Sequence, residues 1–326
     1  VRGSTRKRGS TWTCYWDLTP DAQAGDRRQK SKGGFRTQKE AQSFLNEVLP
    51  KVTAGLYVEP SKQPFSRYLI DEWLPAISAT VRINTRSAYK LACSYVNTSE
   101  IGSIPLRALT GGHINAFYAE LEQRGLSAST RRLVHSTLHR ALRDAVRWDK
   151  LARNPAARAD PPARPHTRVE AWTATELRRF LDYVREDRLY ALWRLAATTG
   201  MRRGELLGLP LLCLDLTASR LRVERQLLAT DEGVMFGPPK SRRSERTIAL
   251  DAETIAVLRR HIETQRLERD LAGPAYADHD LVFADELGRP INPDVLGKTF
   301  VRHRKAAGVS TGSLHVLRHT SATLAL

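Results

Sequence analysis

The feature that most constrains this chain is a break. Between Asn154 and Pro165 lie four prolines, several alanines and alternating arginines, with no apolar periodicity. Proline fixes φ and removes a backbone donor, so neither a helix nor a strand ladder runs through such a stretch. The chain is therefore expected to fold as separate units on either side of a linker at 151–167, and its 326 residues suffice for two or three domains.

Ahead of the break the patterning changes once. In residues 1–58, Trp12, Cys14, Trp16 and Leu18 alternate with polar residues, the period of a half-buried strand. Asp21 to Asp26 reads as a turn, and Arg27 to Lys32 as the returning strand. Thr37 and Glu40 form a capping box ahead of a helix with Ala41, Phe44, Leu45, Val48, Leu49 and Val52 at helical spacing. A small sheet closed by one helix is expected. Residues 64–150 read as all-helical. One stripe starts at Phe65, Leu69, Trp73 and Leu74, and a second holds Tyr89, Leu91, Ala92 and Val96. A third runs from His113 to Leu121, and a fourth from Leu133 to Val146 behind Ser127 or Ser129 as N-cap.

Past the break, residues 168–326 open with a second capping box, Thr173 and Glu176. Leu189 to Thr199 is apolar on nearly every face, so a buried helix is expected there. Strands are expected around Leu221 and Val223, Val234 and Phe236, and Ile248 and Leu250. A helix on Ile255, Leu258 and Ile262, a Leu281-Val282-Phe283 run and further helices follow. The fold class is mainly α with small antiparallel β-sheets.

Charge narrows the partner. Lys and Arg total 52 against 35 Asp and Glu, a formal net charge of +17, and such an excess repels itself unless a polyanion screens it. A basic surface also suits an acidic membrane, but no apolar run reaches the length of a spanning helix. Nucleic acid is the better partner. A basic sheet can enter a major groove with its outward side chains, here Arg27, Arg28, Lys30 and Lys32. The fourth helix carries Arg131, Arg132, His135, His139, Arg140 and Arg143 beside its core stripe and could track phosphates; a solvated polar face reads the same way. Three separated cysteines, Cys14, Cys93 and Cys213, fit reduced thiols of a cytoplasmic protein rather than disulfides or a zinc module. With no phosphate loop and no His-Glu-x-x-His pair, neither metal nor cofactor is expected.

Three stretches after the break are unusual together. The apolar helix ends at Gly200 and is followed by Met201-Arg202-Arg203-Gly204-Glu205, where an arginine at risk of burial has an orienting carboxylate three residues on. Gly237 to Arg246 separates two strands and is dense in cation, with Lys240, Arg242 and Arg243. His315 and Arg318 stand three apart on one helix face. Each alone fits an ordinary surface pair or a satisfied histidine. Together, two arginines, a lysine and a histidine fit phosphodiester transfer: guanidiniums hold the non-bridging oxygens as charge accumulates, and Lys or His moves a proton.

These stretches resemble a known family. Ala197 to Leu206 looks like the first box of the tyrosine recombinases, or phage integrases. His315 to Thr320 looks like the start of the second box, and Pro239-Lys240-Ser241 resembles the family's lysine hairpin. The resemblance extends to an arm-type DNA-binding domain at 1–58, a helical, SAM-like core-binding domain at 64–150 and a mixed α+β catalytic domain at 168–326. It implies that Arg202 and Arg318 clamp the scissile phosphate, Lys240 is the general acid, His315 assists and Glu205 supports. It also implies strand exchange of a mobile element between attachment sites on double-stranded DNA, by a homotetramer in which each chain clamps the duplex, with a possible directionality factor and no metal. In the family a His or Trp and then the attacking tyrosine follow the second arginine by several helical turns. Here none of nine tyrosines lies beyond Tyr276 and the sequence opens on Val1. A C-terminally truncated chain that holds DNA without cutting it is therefore expected, and a covalent adduct on a nicked attachment site would contradict it. The rival expectations are a non-catalytic DNA-binding protein, a helix-turn-helix regulator built on the Arg131 helix, and a metal-dependent transposase, which would need converging carboxylates.

Overall fold

The computed structural model describes residues 3–18, 29–54, 57, 62–163, 171–230, 233–239, 244–309 and 312–324. The chain divides into two compact units, Val1–Pro165 and His166–Leu326.

In the first unit, β1 (Gly3–Arg8), β2 (Thr11–Asp17) and β3 (Gln29–Phe35) form an antiparallel sheet with β2 central. The alternation of β2 puts Cys14 and Trp16 against Ala41, Leu45 and Val48 of α1 (Gln38–Thr53), and Cys14 Sγ donates to Ala41 O at 3.0 Å. β1 was not foreseen, because Gly-Ser-Thr-Arg-Lys-Arg has no apolar alternation. The returning strand starts at Gln29 and runs on through Gly33 and Gly34; Arg27, Arg28 and the expected turn lie outside the described residues. The capping box at Thr37 is half made. Thr37 Oγ1 accepts from Glu40 N, but the Glu40 carboxylate accepts from Arg36 N at 2.9 Å instead of closing on Thr37.

The helical part comprises α2 (Phe65–Arg67), a π-wound turn Tyr68–Trp73, α3 (Leu74–Ile77), α4 (Ile83–Asn97), α5 (Gly111–Gln123) and α6 (Ala128–Arg147). Ser127 caps α6. Two polar groups are satisfied across the core: Trp73 Nε1 donates to the buried Asp144 at 2.9 Å, and Tyr68 Oη donates to Ala141 O at 2.9 Å. The second stripe needs correction. Leu91 is exposed and Cys93 is buried with Ala92 and Val96, so the α4 core face is rotated by about half a turn from Leu91. The expected linker also starts later than its prolines suggest. Pro155–Arg158 forms a 3-10 turn, Leu151, Ala156 and Ala159 are buried in the helical core, and Asn115 bonds Asp160 twice. Proline excludes regular ladders but packs well as an apolar side chain, and that effect wins here.

The second unit starts with α7 (Ala174–Tyr183), α8 (Tyr190–Thr199) and α9 (Arg203–Leu207). β4 (Leu214–Asp215), β5 (Arg220–Val223), β6 (Gln226–Thr230), β7 (Gly233–Gly237) and β8 (Arg246–Ala249) follow, then α10 (Ala252–Ala272), α11 (Pro293–Ala306) and α12 (His315–Leu324). Trp172, Phe180, Trp193 and Phe300 pack ring on ring in its core. The single charged residue of α8, Arg194, reaches Glu253 at 2.8 Å and Asp251 at 3.2 Å at the start of α10. The strands form two sheets, β4-β5-β8 and β6-β7. This corrects the expectation of a hairpin between the strands on either side of Pro239-Lys240-Ser241: β7 pairs with β6 and β8 with β5, so the two strands that flank Gly237 to Arg246 belong to different sheets.

α9 lies on β6 through glycine. A Cβ at Gly204 would meet Leu227 O at 2.7 Å, and one at Gly208 would meet Leu227 N at 2.6 Å, with backbone on the far side in both cases. Gly208→Ala is expected to lower the stability of this unit by about 2 kcal/mol through overpacking against a rigid strand. Urea unfolding followed by tryptophan fluorescence checks this; an unchanged midpoint would show that α9 floats on the sheet.

Candidate functional site

The site is built at the end of α8. Gly200 closes the helix in the left-handed conformation, φ 60° and ψ 26°, which turns the chain sharply. Arg202 then stands as N-cap of α9 with Glu205 one turn in. Glu205 Oε2 accepts the Arg202 backbone N–H at 2.9 Å, and Oε1 accepts Arg202 Nη1 at 2.7 Å. Arg246, from the first position of β8, donates Nη2 to Glu205 Oε2 at 2.9 Å. Arg202 Nη1 also reaches Ser244 Oγ at 3.3 Å. The expectation that Arg202 is the buried member is corrected. Its side chain is 39% exposed, whereas Glu205 is 1% exposed. The group out of water is the carboxylate, and the guanidinium keeps a solvent-facing side.

α12 supplies the other half. Arg318 Nη1 donates to Gly200 O, the carbonyl freed where α8 stops. The two helices approach so closely there that a Cβ on Gly200 would lie 3.2 Å from Ser321 Oγ. His315 is exposed on the same face as Arg318, its ring 4.8 Å from that of His319. Val316 and Leu317 are buried in the core and hold that face outward.

The charges interact. Burial, then the nearby Arg202 charge, lowers the pKa of Arg318 from the ordinary arginine value. Partial desolvation first, then His319, Arg318 and Arg202, lowers that of the otherwise exposed His315, which favours its neutral ring at pH 7. Burial pushes Glu205 upward, but the bonds from Arg246 and Arg202 outweigh it and the net shift is downward. Three guanidiniums and one carboxylate leave two positive charges in excess, facing a histidine able to donate or accept.

Of the residues singled out in sequence, Arg202, Glu205, His315 and Arg318 come together. Lys240, Arg242 and Arg243 lie outside the described residues, between Pro239 and Ser244. Arg246 was missed: its partner is 41 positions away, and only the pairing of β8 with β5 brings it in.

The expected DNA-contacting residues of the first unit are placed differently from their reading. Lys30 pairs with Trp16 and Lys32 with Cys14, so both are on the helix-facing side of the sheet; Lys32 Nζ lies 4.2 Å from the Phe44 ring centre. The opposite face carries Arg6 and Arg8, both exposed, with Tyr15 and Ser31. On α6, Arg131 pairs with Glu122 at 2.7 Å, Arg132 donates to Pro162 O at 2.9 Å and Arg140 to Tyr89 Oη at 2.7 Å. Much of that positive flank is therefore engaged within the unit. α4 carries no acidic residue and sets Arg86 and Lys90 four apart on one face, just after its N-cap Arg82, a second basic stretch that apolar-pattern reading passed over.

Residues 170–325 match the phage integrase family and residues 4–52 the arm DNA-binding domain. A tyrosine recombinase XerC-like protein of Caldanaerobacter subterraneus subsp. tengcongensis is 29% identical over 311 residues, covering 88% of this chain and 78% of that protein. An integrase of Streptomyces ambofaciens is 28% identical over 286 residues, covering 86% and 73%. Among solved structures, the Tn1549 transposon integrase in complex with transposon right end DNA matches in fold with a TM-score of 0.67, at 20% identity, over 80% of this chain and 86% of that one. A lambda integrase tetramer bound to a Holliday junction matches over 98% of this chain and 90% of that one, with a TM-score of 0.59 at 20% identity.

Glu205 makes the site sensitive to acid. A carboxylate whose folded pKa is depressed contributes stability that is complete above its unfolded value and is lost as pH falls through the folded one. Glu205→Gln is thus expected to be less stable than the parent at pH 7, by about 3 kcal/mol. The gap should close below about pH 4.5, the ordinary glutamate value. Denaturant unfolding of both proteins at pH 7 and pH 3.5 measures it, and a gap of equal size at both would mean that Glu205 carries no charge that matters.

Proposed function

We propose that this chain, which belongs to the phage integrase family and carries an arm DNA-binding domain ahead of its integrase domain, holds a scissile DNA phosphate between Arg202 and Arg318 for strand exchange between two attachment sites. One observation carries the reading: two guanidiniums from different elements, each tied back to the protein on one side, lie within electrostatic range of each other, and one carboxylate does not balance them and Arg246. A phosphodiester brings one negative charge, and the pentavalent state of its transfer brings a second. An excess of positive charge favours the second state over the first, which is what lowers a barrier.

The roles follow from that geometry. Arg202 and Arg318 neutralise the non-bridging oxygens, and Glu205 holds Arg202 in place. His315, neutral at pH 7, hydrogen-bonds the phosphate or relays a proton. Lys240 is the proposed acid for the departing 5′ oxygen, supported by its position two residues after Pro238 in the cationic connection between the sheets. The attacking group in the proposed reaction is a tyrosine, giving a 3′-phosphotyrosyl link that conserves the bond energy for religation. The assembly proposed is a homotetramer on double-stranded DNA, supported by the tetrameric state of the fold-related lambda integrase. The outward face of the N-terminal sheet, with Arg6 and Arg8, is the proposed surface for arm DNA.

Duplexes retained by the protein from a random pool supply the probe, and ethylation of single phosphates then maps which of them matter. Ethylating the clamped phosphate should weaken binding by about tenfold or more, the scale of a lost charged hydrogen bond. In Arg202→Ala and Arg318→Ala that one position should become indifferent while the others persist. An interference map identical in parent and both variants would sink the cradle.

For the arm surface, Arg6→Ala with Arg8→Ala should reduce the slope of log affinity against log salt by about two on arm DNA. Lys32→Ala should leave the slope alone and lower the melting temperature, because its ammonium rests on Phe44. The reverse assignment of effects would place the DNA on the helix side.

A further inference from the structure

We propose that Arg246 is a positioning residue for Arg202, acting through the buried carboxylate of Glu205; the proposal deepens the reading of Arg202 as a phosphate ligand and rests on it. Arg246 has both terminal nitrogens committed within the protein, Nη2 to Glu205 Oε2 and Nη1 to Ser244 O, each at 2.9 Å. Arg202 uses Nη1 for Glu205 and Ser244, and among the described residues no bond to its Nη2 or Nε is made. The two guanidiniums are therefore not equivalent. One is spent inside the fold, and the other keeps a fork to offer an anion.

Glu205 needs both. A carboxylate at 1% exposure stays ionised only while paired and hydrogen-bonded. The groups facing it are the backbone and side chain of Arg202 at the start of α9 and Arg246 from β8, with Arg318 of α12 in electrostatic range and His315 beside Arg318. When phosphate engages Arg202, the bond from Arg202 to Glu205 weakens as charge is shared. Arg246, bound by the sheet, stays and keeps the carboxylate charged at that moment. Arg246 also fastens Ser244, where the connection from β7 enters β8, to the same carboxylate.

The test uses the 326-residue chain with carbon-13 glutamate, so that the Glu205 carboxyl can be titrated by NMR without DNA. In Arg246→Gln its midpoint should rise, in Arg246→Lys rise less, and in Arg318→Ala move little. On the selected duplex, ethylation interference at the Arg202-dependent phosphate should fall by about tenfold in Arg246→Gln at neutral pH, the loss expected for one charge-assisted bond. The effect should deepen as pH falls and recover in Arg246→Lys. A purely structural role would lower the melting temperature and leave both readouts where they are. Should the glutamine variant not fold, the lysine variant carries the same comparison. An unmoved Glu205 titration overturns the proposal, as does a moved titration with the phosphate signal intact. Absence of any Arg202-dependent phosphate in the parent protein would instead remove the cradle reading, and the titration would still decide whether Arg246 governs Glu205.

Discussion

One buried carboxylate organises this site. Glu205 accepts three N–H groups from two arginines of different elements, and it caps the helix on which it stands. Its own burial is permitted by the glycines on either side: Gly204 and Gly208 bring α9 down onto β6 until no Cβ fits between them. The close approach that removes Glu205 from water also makes its pairing obligatory. Packing and electrostatics are here a single constraint, because a carboxylate nearer the surface would hold Arg202 only loosely against solvent and salt.

What was legible in the sequence was local. Gly200 to Glu205 is a helix stop followed by a helix start with its N3 carboxylate, and His315 to Arg318 is one helical step, so spacing alone placed these pairs. The strand holding Cys14 and Trp16 announced itself by alternation. Arg246 was illegible because nothing within 40 residues of it indicates that β8 skips β7 to pair with β5. Lys30 and Lys32 read as outward-facing because polar side chains usually are. Their side is set by register with β2, which shifts between Trp12 and Cys14, and long ammonium-bearing chains can lie along an aromatic ring without losing water at the tip.

The proline segment illustrates competing effects in one stretch. Its composition excludes a helix or a ladder, which is correct as far as 3-10 turns and extended chain go. Yet Pro155, Ala156 and Ala159 are apolar, the Ala156 and Asp160 N–H groups donate to Asn154 and Asn115, and Asn154 Nδ2 ties the segment to His139 O of α6. The chain is ordered there without being regular. Absence of periodicity therefore located a change of unit but could not tell how far the first unit's packing extends.

The site carries more positive than negative charge. Burial first, and then the charge of Arg202, lowers the pKa of Arg318, and a single carboxylate does not balance three guanidiniums. Hydrophobic anchors make that arrangement tolerable. Val316 and Leu317 fix α12 from below, Gly200 fixes the carbonyl that takes Arg318, and Thr320 Oγ1 accepts the Trp172 N–H at 2.8 Å. These anchors are contacts within the protein, so the two arginines are held near one another by the fold itself. An anion placed between the guanidiniums would relieve their repulsion, and the more so the greater its charge. On the proposed reading, preorganisation of this kind would convert the stability of the fold into selectivity for the transition state over the ground state.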